Sequence, residues 1–396
     1  MTDVNQKKIE SVLTRGVDKI YPDSKLLEKT LLSGKRLKMY CGYDPTGPVL
    51  HLGHLITIRK LAQFQQLGHE IIMLIGDFTG MIGDPTEKIS TRKRLSRKEV
   101  LSNAKNYQKQ AGKFINFKGK NPAKLLFNSV WLDKLRFDEL INLAANFTVQ
   151  HIMIRDFFQE RIKNKNPIFL HEFLYPLAQA YDSVAMEVDL EVGGSDQIFN
   201  MLCGRDLMRG LKNKEKFVMG LKLLVDPTGK KMGKTEGNLV SLDSDPKDIY
   251  GKIMSWPDEI IHLGFELLTD LPAEEVDKII KESHPREAKA MLAGEIVSIC
   301  HDKKSADSAE AEFDRVHREK ELPSVIPEIL IRNKNISLLS LLVETNLASS
   351  RAEAKRLVLQ RGVKIDEKIE DDWKKTVNIE KEMVIQVGRR KFVRVK

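Results

Sequence analysis

The chain has 396 residues, 41% hydrophobic and 31% charged, with a formal net charge of +9. That length exceeds a single hydrophobic core and predicts two or three domains, while the composition is that of a soluble globular protein and excludes a fibrous or disordered one. Residues 1–19 show no signal-peptide pattern, and no apolar run approaches the roughly 20 residues that span a bilayer, so no membrane association is expected.

Three cysteines, Cys41, Cys203 and Cys300, are far apart and form no CxxC. They fit a reducing, cytoplasmic setting better than a disulfide framework. Residues 1–32 read as helices, with Ile9, Val12, Leu13, Val17 and Ile20 at helical spacing. A short apolar strand follows at 37–42. It breaks at Asp44-Pro45-Thr46-Gly47-Pro48 and resumes as a helix, with Pro48 suited to the first turn. His51 and His54 lie on one face of that helix, near its N-terminus, with Gly53 leaving the backbone bare between them. Such a terminus suits an anion, a nucleotide phosphate above all. The rival reading is a metal pair, for which no third ligand stands nearby.

Residues 70–75 read as a buried strand, so strand, helix and strand open a parallel sheet whose ligand sits at the strand carboxyl ends. The loop behind it, GDFTGMIGDPTEKISTRKRL, has the glycine and charge of a binding loop. The stretch from about 96 to 167 reads as a helical insertion. Its apolar helix at 137–147 serves either a dimer surface or its own domain. Residues 169–186 predict a helix with Pro176 near its middle. Tyr175, Gln179 and Asp182 form one polar stripe among Leu, Ala, Val and Met, as groups aimed into a pocket do. A strand at 188–192 leads to Gly193-Gly194-Ser195-Asp196-Gln197, and a strand at 217–225 delivers Lys230-Lys231-Met232-Gly233-Lys234-Thr235.

Residues 245–324 read as helical, with a clear helix at 285–300. Pro323, Pro327 and residues 331–336 read as a linker. Beyond it come two short helices (338–347, 350–359), strands at 363–365, 383–387 and 392–395, and a hairpin turn at 388–390. From residue 331 onward there are 16 Lys and Arg against 9 Asp and Glu, a net of +7. That local excess suggests a polyanion, RNA being the natural one.

His51-Leu52-Gly53-His54 and Lys231-Met232-Gly233-Lys234-Thr235 together resemble the two signatures of class I aminoacyl-tRNA synthetases. The second departs from the usual form at Gly233 and Thr235, where serines are common. With YCGYDPTG, TGMIGDP, YPLAQAYD, GGSDQ and Asn200, the match narrows to the bacterial tyrosyl-tRNA synthetases. The run SSRAEAKRLVLQRGVKID resembles the small RNA-binding module shared with a ribosomal protein. The resemblance implies an α/β fold: a Rossmann-like parallel-sheet catalytic domain over 1–240, with a connective insertion (about 96–167) and a lysine loop (226–240). An α-helical anticodon-recognition domain (241–325) and a ribosomal-protein-like RNA-binding domain (333–396) follow.

It also implies that L-tyrosine is activated by ATP to an adenylate and passed to the 3′ end of tRNA(Tyr). Tyr40 and Asp182 are expected on the phenol. Asp84, Tyr175 and Gln179 are expected on the amino group, with Asp44 near the ammonium or phosphates and Gln197 near the carboxylate. Cys41, Gly53, Thr57, Gly194 and Asp196 are expected to hold ATP. Thr46, His51, His54, Lys88, Arg92, Lys231, Lys234 and Thr235 are expected around its phosphates. Arg351, Lys355, Arg356 and Arg361 would face RNA. Magnesium is expected to accompany ATP, with no protein metal cage and no tightly bound cofactor, and a homodimer is expected. A tryptophanyl-tRNA synthetase, a small nucleotidylyltransferase and a silent RNA-binding relative are the rivals.

Overall fold

The structure is a computed structural model that describes residues 2–85, 95–229, 231–232, 239–317, 326–331, 333, 335–380, 382–388 and 391–396. The chain divides into two compact units, Met1–Ala306 and Asp307–Lys396.

The first unit is built on a six-stranded sheet ordered β1-β6-β5-β2-β3-β4. Its strands are β1 (Val17–Tyr21), β2 (Lys38–Tyr43), β3 (Glu70–Ile75), β4 (Lys124–Phe127), β5 (Leu190–Gly194) and β6 (Phe217–Leu221). All neighbours run parallel except β1, which lies antiparallel on β6. Every residue of β6 and all but the first of β3 are buried, so these strands read as unbroken apolar runs rather than alternating ones. Helix α1 (Leu52–Gln66) links β2 to β3, α2 (Leu174–Met186) precedes β5, and α3 (Ile198–Lys212) links β5 to β6. From the central pair β2 and β5 the chain winds to opposite sides of the sheet. That reversal opens a crevice at their carboxyl ends.

A helical region closes the first unit. Its longest helix, α4 (Pro285–Cys300), packs on Pro246–Met254 through buried Ile249, Ile253, Leu292 and Ile296. Arg15 ties it to the amino-terminal segment by donating to the carbonyls of Phe265 and Glu266, each at 3.0 Å.

The second unit carries a five-stranded sheet, β10-β9-β12-β13-β7, and a two-stranded one, β11-β8. These strands are β7 (Glu328–Ile329), β8 (Asn335–Ser337), β9 (Val363–Ile365), β10 (Lys368–Glu370), β11 (Thr376–Asn378), β12 (Val384–Val387) and β13 (Lys391–Val395). Leu338–Glu344 and α5 (Arg351–Leu359) contribute Leu341, Leu342, Ala354 and Val358 to its core.

Several elements differ from the sequence reading. Val17 and Ile20 lie in edge strand β1, not a helix, because a five-residue strand with two exposed positions shows no clear alternation. Strand β4 sits inside the stretch read as wholly helical. Pro176 falls in the first turn of α2, where its missing N–H costs nothing, and a 3₁₀ turn (Leu170–Phe173) precedes it. Pro48 stands outside α1, which His51 caps. The expected linker includes β7, paired to β13, and β8, paired to β11. Within the expected hairpin turn, Arg389 and Arg390 lie outside the described residues, as does Pro323 of the linker.

Candidate active site

Loops after β2, β3 and β5 meet at the crevice. Asp44, just past β2, accepts from Thr79 Oγ1 at 2.6 Å and from Tyr175 Oη of α2 at 2.9 Å. Asp84 accepts from Gln197 Nε2 at 2.6 Å. Three loops and one helix are thereby stitched into one wall.

At the inner end, Tyr40 of β2 and Asp182 of α2 are 1% and 3% exposed. Ile72, Leu74, Met186 and Val188 cluster with Tyr40. Trp131 Nε1 donates to Asp182 Oδ1 at 2.7 Å, and Asn128 Nδ2 donates to Oδ2 at 3.2 Å. Burial pushes the Asp182 carboxyl well above the usual carboxylate range, against the pull of those two donors. Burial, then the charges of Glu191 and Asp182, push the Tyr40 phenol up as well, so it remains a hydroxyl. Its partner is Ser183 Oγ at 3.0 Å.

Further along α2, Gln179 donates from Nε2 to Glu191 Oε1 at 3.0 Å, while its Oε1 is buried with no hydrogen-bond partner among the described residues. An orphaned buried carbonyl is costly unless a ligand donor completes it. Asp84, Tyr175 and Gln179, expected on one group, have different partners here: Tyr175 is held by Asp44, Asp84 by Gln197.

His51 and His54 belong to the first turn of α1. His51 is its N-cap and accepts the Gly53 N–H on Nδ1 at 3.1 Å. His54 Nδ1 accepts the His51 N–H at 3.2 Å, and the two rings lie 3.8 Å apart. With both Nδ1 atoms accepting, each neutral imidazole carries its proton on Nε2. A Cβ on Gly53 would stand 2.9 Å from His51 Cε1, so the room this glycine leaves is taken by the capping ring itself. Thr46 is half-buried and donates its N–H to the Asp44 carbonyl at 2.8 Å.

Both ends of the lysine loop are fastened here. Met232 N–H bonds Leu224 O, and residues 240–242 run beside 50–52 through Leu52 N–H to Val240 O and Leu242 N–H to Leu50 O. Lys231 Nζ reaches Asp196 Oδ2 at 2.6 Å. Lys88, Arg92, Lys234 and Thr235 lie outside the described residues. Asp196 also accepts from Gln197 Nε2 at 3.2 Å, and a Cβ on Gly194 would meet Asp196 Oδ1 at 2.5 Å. Cys41 is buried and its thiol is pushed up to about 12, chiefly by burial. The Thr57 hydroxyl is engaged by Tyr43 Oη at 3.0 Å and His54 O at 2.9 Å.

The sequence reading missed Asn128, Trp131, Ser183, Glu191, Lys216 and Arg155. Arg155 donates to Asn200 Oδ1 at 2.9 Å, lies over Phe157 and Phe199, and keeps Nη2 buried without a partner among the described residues. Only Glu191 gave a signal, as one of two acids within the strand read at 188–192. Among the described residues no group of three or more His, Cys, Asp or Glu could hold a metal ion, and no helix is long and apolar enough to cross a membrane.

In the second unit, Arg351, Lys355, Arg356 and Arg361 are all exposed. Arg351 donates to Ser340 Oγ at 2.7 Å, and Arg361 stands 3.8 Å from Asp371. Lys355 Nζ lies 4.1 Å above the Trp373 ring, an aromatic the sequence reading passed over.

Residues 32–318 match the family described as tRNA synthetases class I (W and Y), and residues 337–384 match the S4 domain. The tyrosine–tRNA ligase of Thermotoga maritima is 44% identical over 402 residues, 100% of this chain and 98% of its own. That of Moorella thermoacetica is 43% identical over 393 residues, 97% and 94% of the two chains. Among solved structures, a C-terminally truncated mitochondrial tyrosyl-tRNA synthetase of Aspergillus nidulans aligns with TM-score 0.64 and 25% identity over 79% of this chain and 94% of its own.

Proposed function

We infer the chemistry of this site from one premise: the chain belongs to the class I tRNA synthetases (W and Y), and within them to the tyrosine–tRNA ligases. Its reaction is the ATP-dependent joining of tyrosine to tRNA. In our reading the substrate phenol lies between Tyr40 and Asp182, and its ammonium lies among Gln179, Tyr175, Asp44 and Asp84. One observation carries this. Helix α2 presents the buried Asp182 carboxyl and, three residues before it, the orphaned Gln179 carbonyl, a phenol acceptor and a cation acceptor on one rigid face.

The tyrosine carboxylate attacks the α-phosphorus of ATP, and the bond to the β-phosphate oxygen breaks, giving tyrosyl-adenylate and pyrophosphate. A ribose hydroxyl at the 3′ end of tRNA then attacks the acyl carbon, giving tyrosyl-tRNA and AMP. Gln197 lies near the carboxylate, and Asp196, Gly194, Cys41, Gly53 and Thr57 lie around the nucleoside. The N–H groups of His51 and His54, with Thr46 and Lys231, meet the charge growing on the leaving pyrophosphate. Lys88, Arg92, Lys234 and Thr235 join them in this reading. The work is positioning and charge stabilisation rather than covalent catalysis. ATP enters as its magnesium complex, a hard cation held by phosphate oxygens.

Around this core we place an anticodon-reading helical region at 241–325 and an RNA-backbone contact at Arg351, Lys355, Arg356 and Arg361, supported by their exposure. We also propose a homodimer, supported by the exposed apolar side chains of Phe137, Ile141, Val149, Ile154, Phe169 and Leu170, and a cytoplasmic location. The test of the whole is exchange of pyrophosphate into ATP. Tyrosine is expected to support it and tryptophan and phenylalanine to do so poorly. Exchange driven equally by tryptophan overturns the pocket assignment.

A further inference from the structure

Behind Tyr40 lies a charged pair that the reaction does not use. Lys216, at the foot of β6, is 0% exposed, and Glu191 of β5 is 2% exposed. They form an ion pair between the sheet and helices α2 and α3, with Lys216 Nζ also donating to Ser183 Oγ at 2.9 Å. Glu191 Oε2 accepts from Ser183 Oγ at 3.3 Å, and Glu191 Oε1 accepts from Gln179. Room for the ammonium is provided by Gly204 of α3, where a Cβ would stand 2.6 Å from Lys216 Nζ and 2.8 Å from Ser183 Oγ. Burying two full charges is expensive, and such a pair is weak evidence of stabilisation in itself. Its geometry points to a different use.

We propose that Lys216 and Glu191 are positioning residues that, through Ser183, fix the place of the Tyr40 hydroxyl and so set the selection of tyrosine over phenylalanine. This rests on the assignment of Tyr40 and Asp182 to the substrate phenol. A serine hydroxyl has one proton and two lone pairs. Lys216 occupies one lone pair of Ser183, and the Glu191 carboxylate, a stronger acceptor than a phenol, takes its proton. Tyr40 Oη rests on the same serine oxygen at 3.0 Å. Its hydroxyl is thereby held in one place at the inner end of the crevice, where Asp182 accepts from Trp131 and Asn128. Phenylalanine brings no hydroxyl to these buried polar groups and leaves unsatisfied what the phenol of tyrosine completes, the costliest kind of mismatch. By holding Gln179 as well, Glu191 fastens the phenol and ammonium ends to one anchor.

The test compares tyrosine and phenylalanine kcat/KM in pyrophosphate exchange for full-length Tyr40→Phe, Ser183→Ala and the paired variant Lys216→Met/Glu191→Gln, in which no lone charge is left buried. Each is expected to lower the ratio by roughly 2- to 10-fold, with the loss in KM for tyrosine rather than kcat, since the phenol is remote from the reacting phosphorus. Ser183→Ala leaves the ion pair in place and covers the case in which the paired variant folds poorly. The decisive arm adds each change to Tyr40→Phe, where no further fall is expected because the hydroxyl they place is gone. A ratio unchanged by Tyr40→Phe overturns the pocket assignment itself. A ratio that falls in Tyr40→Phe but holds in Ser183→Ala, or effects that add fully in the combined variants, overturns the positioning role alone.

Discussion

His51 caps α1 through Nδ1, and in the function we propose the same ring meets the phosphates through Nε2–H. The two can be separated. Asn is among the best N-caps, so His51→Asn is expected to keep the melting temperature while slowing tyrosyl-adenylate formation by roughly 10²-fold, the cost of one lost charge-stabilising donor. His51→Ala should show the same slowing and lose about 1 kcal/mol of stability besides. Single-turnover kinetics beside thermal melts measure both, with tyrosine binding unchanged. If His51→Asn forms adenylate at the parental rate, the ring acts only as a cap. At this scale the chain was legible where a polar residue ends a strand or interrupts an apolar helix, as with Asp44, Asp196 and Asp182. Trp131 was not, because its meaning lies in Asp182, fifty-one residues away. Ser183 and Lys216 were hidden for the same reason.

Among elements, β3 and α4 matched their expected bounds because each is an uninterrupted pattern: a run of β-branched and long apolar residues, and a proline-started helix with a capping box. Four-residue β4 and the three-residue strands β8, β10 and β11 are too short to show a period, and pairing rather than propensity makes them strands. A histidine joins two of the long ones. His69, ahead of β3, is 1% exposed and accepts the Leu37 N–H on Nδ1 at 3.2 Å, while Glu70 N–H bonds Leu37 O. Burial, then the charge of Arg36, pushes its pKa down to about 4. Unfolded, it titrates near 6.5, so between those values the unfolded chain holds more protons. The stability it contributes is complete above about pH 6.5 and is lost as pH falls toward 4, at up to about 1.4 kcal/mol per pH unit. His69→Asn keeps an acceptor without the titration. Urea unfolding between pH 7 and 4.5 is expected to show a shallower acid loss in that variant. Equal slopes would mean that other groups set the acid limit.

On the scale of the molecule, the charge excess after residue 331 falls within the second unit, which begins at Asp307, whereas the strands on either side of residue 331 left no sign in the sequence. A stop after His317 removes every strand of the second unit. Tyrosine activation is expected to stay near its parental value, and tRNA charging to fall at least tenfold, since phosphate contacts supply much of the affinity for nucleic acid. Reversing Arg351, Lys355 and Arg356 to Glu should do the same and flatten the salt dependence of tRNA binding. Exchange and charging assays at two ionic strengths check both. Charging at the parental level by the shortened chain would separate this unit from tRNA capture.

The antiparallel strand at the sheet's margin has a consequence for synthesis. Val17 pairs with Leu221, and Tyr21 with Val218, although residues 17–21 precede the family match that begins at residue 32. At translation speeds of about 5–20 residues per second, β1 leaves the ribosome roughly 10–40 s before its partner exists. It must stay soluble alone, and its pattern, with Asp18 and Lys19 outward, suits that wait. Strand β6 has no such protection: it is apolar and buried along its whole length, and without β1 its outer row of N–H and C=O groups would lie bare. A chain shortened by its first 22 residues would expose a ready template for its own copies. Light scattering of a chain lacking residues 1–22 is expected to show more aggregation than the full chain, and equal scattering would mean that β1 does not guard this edge.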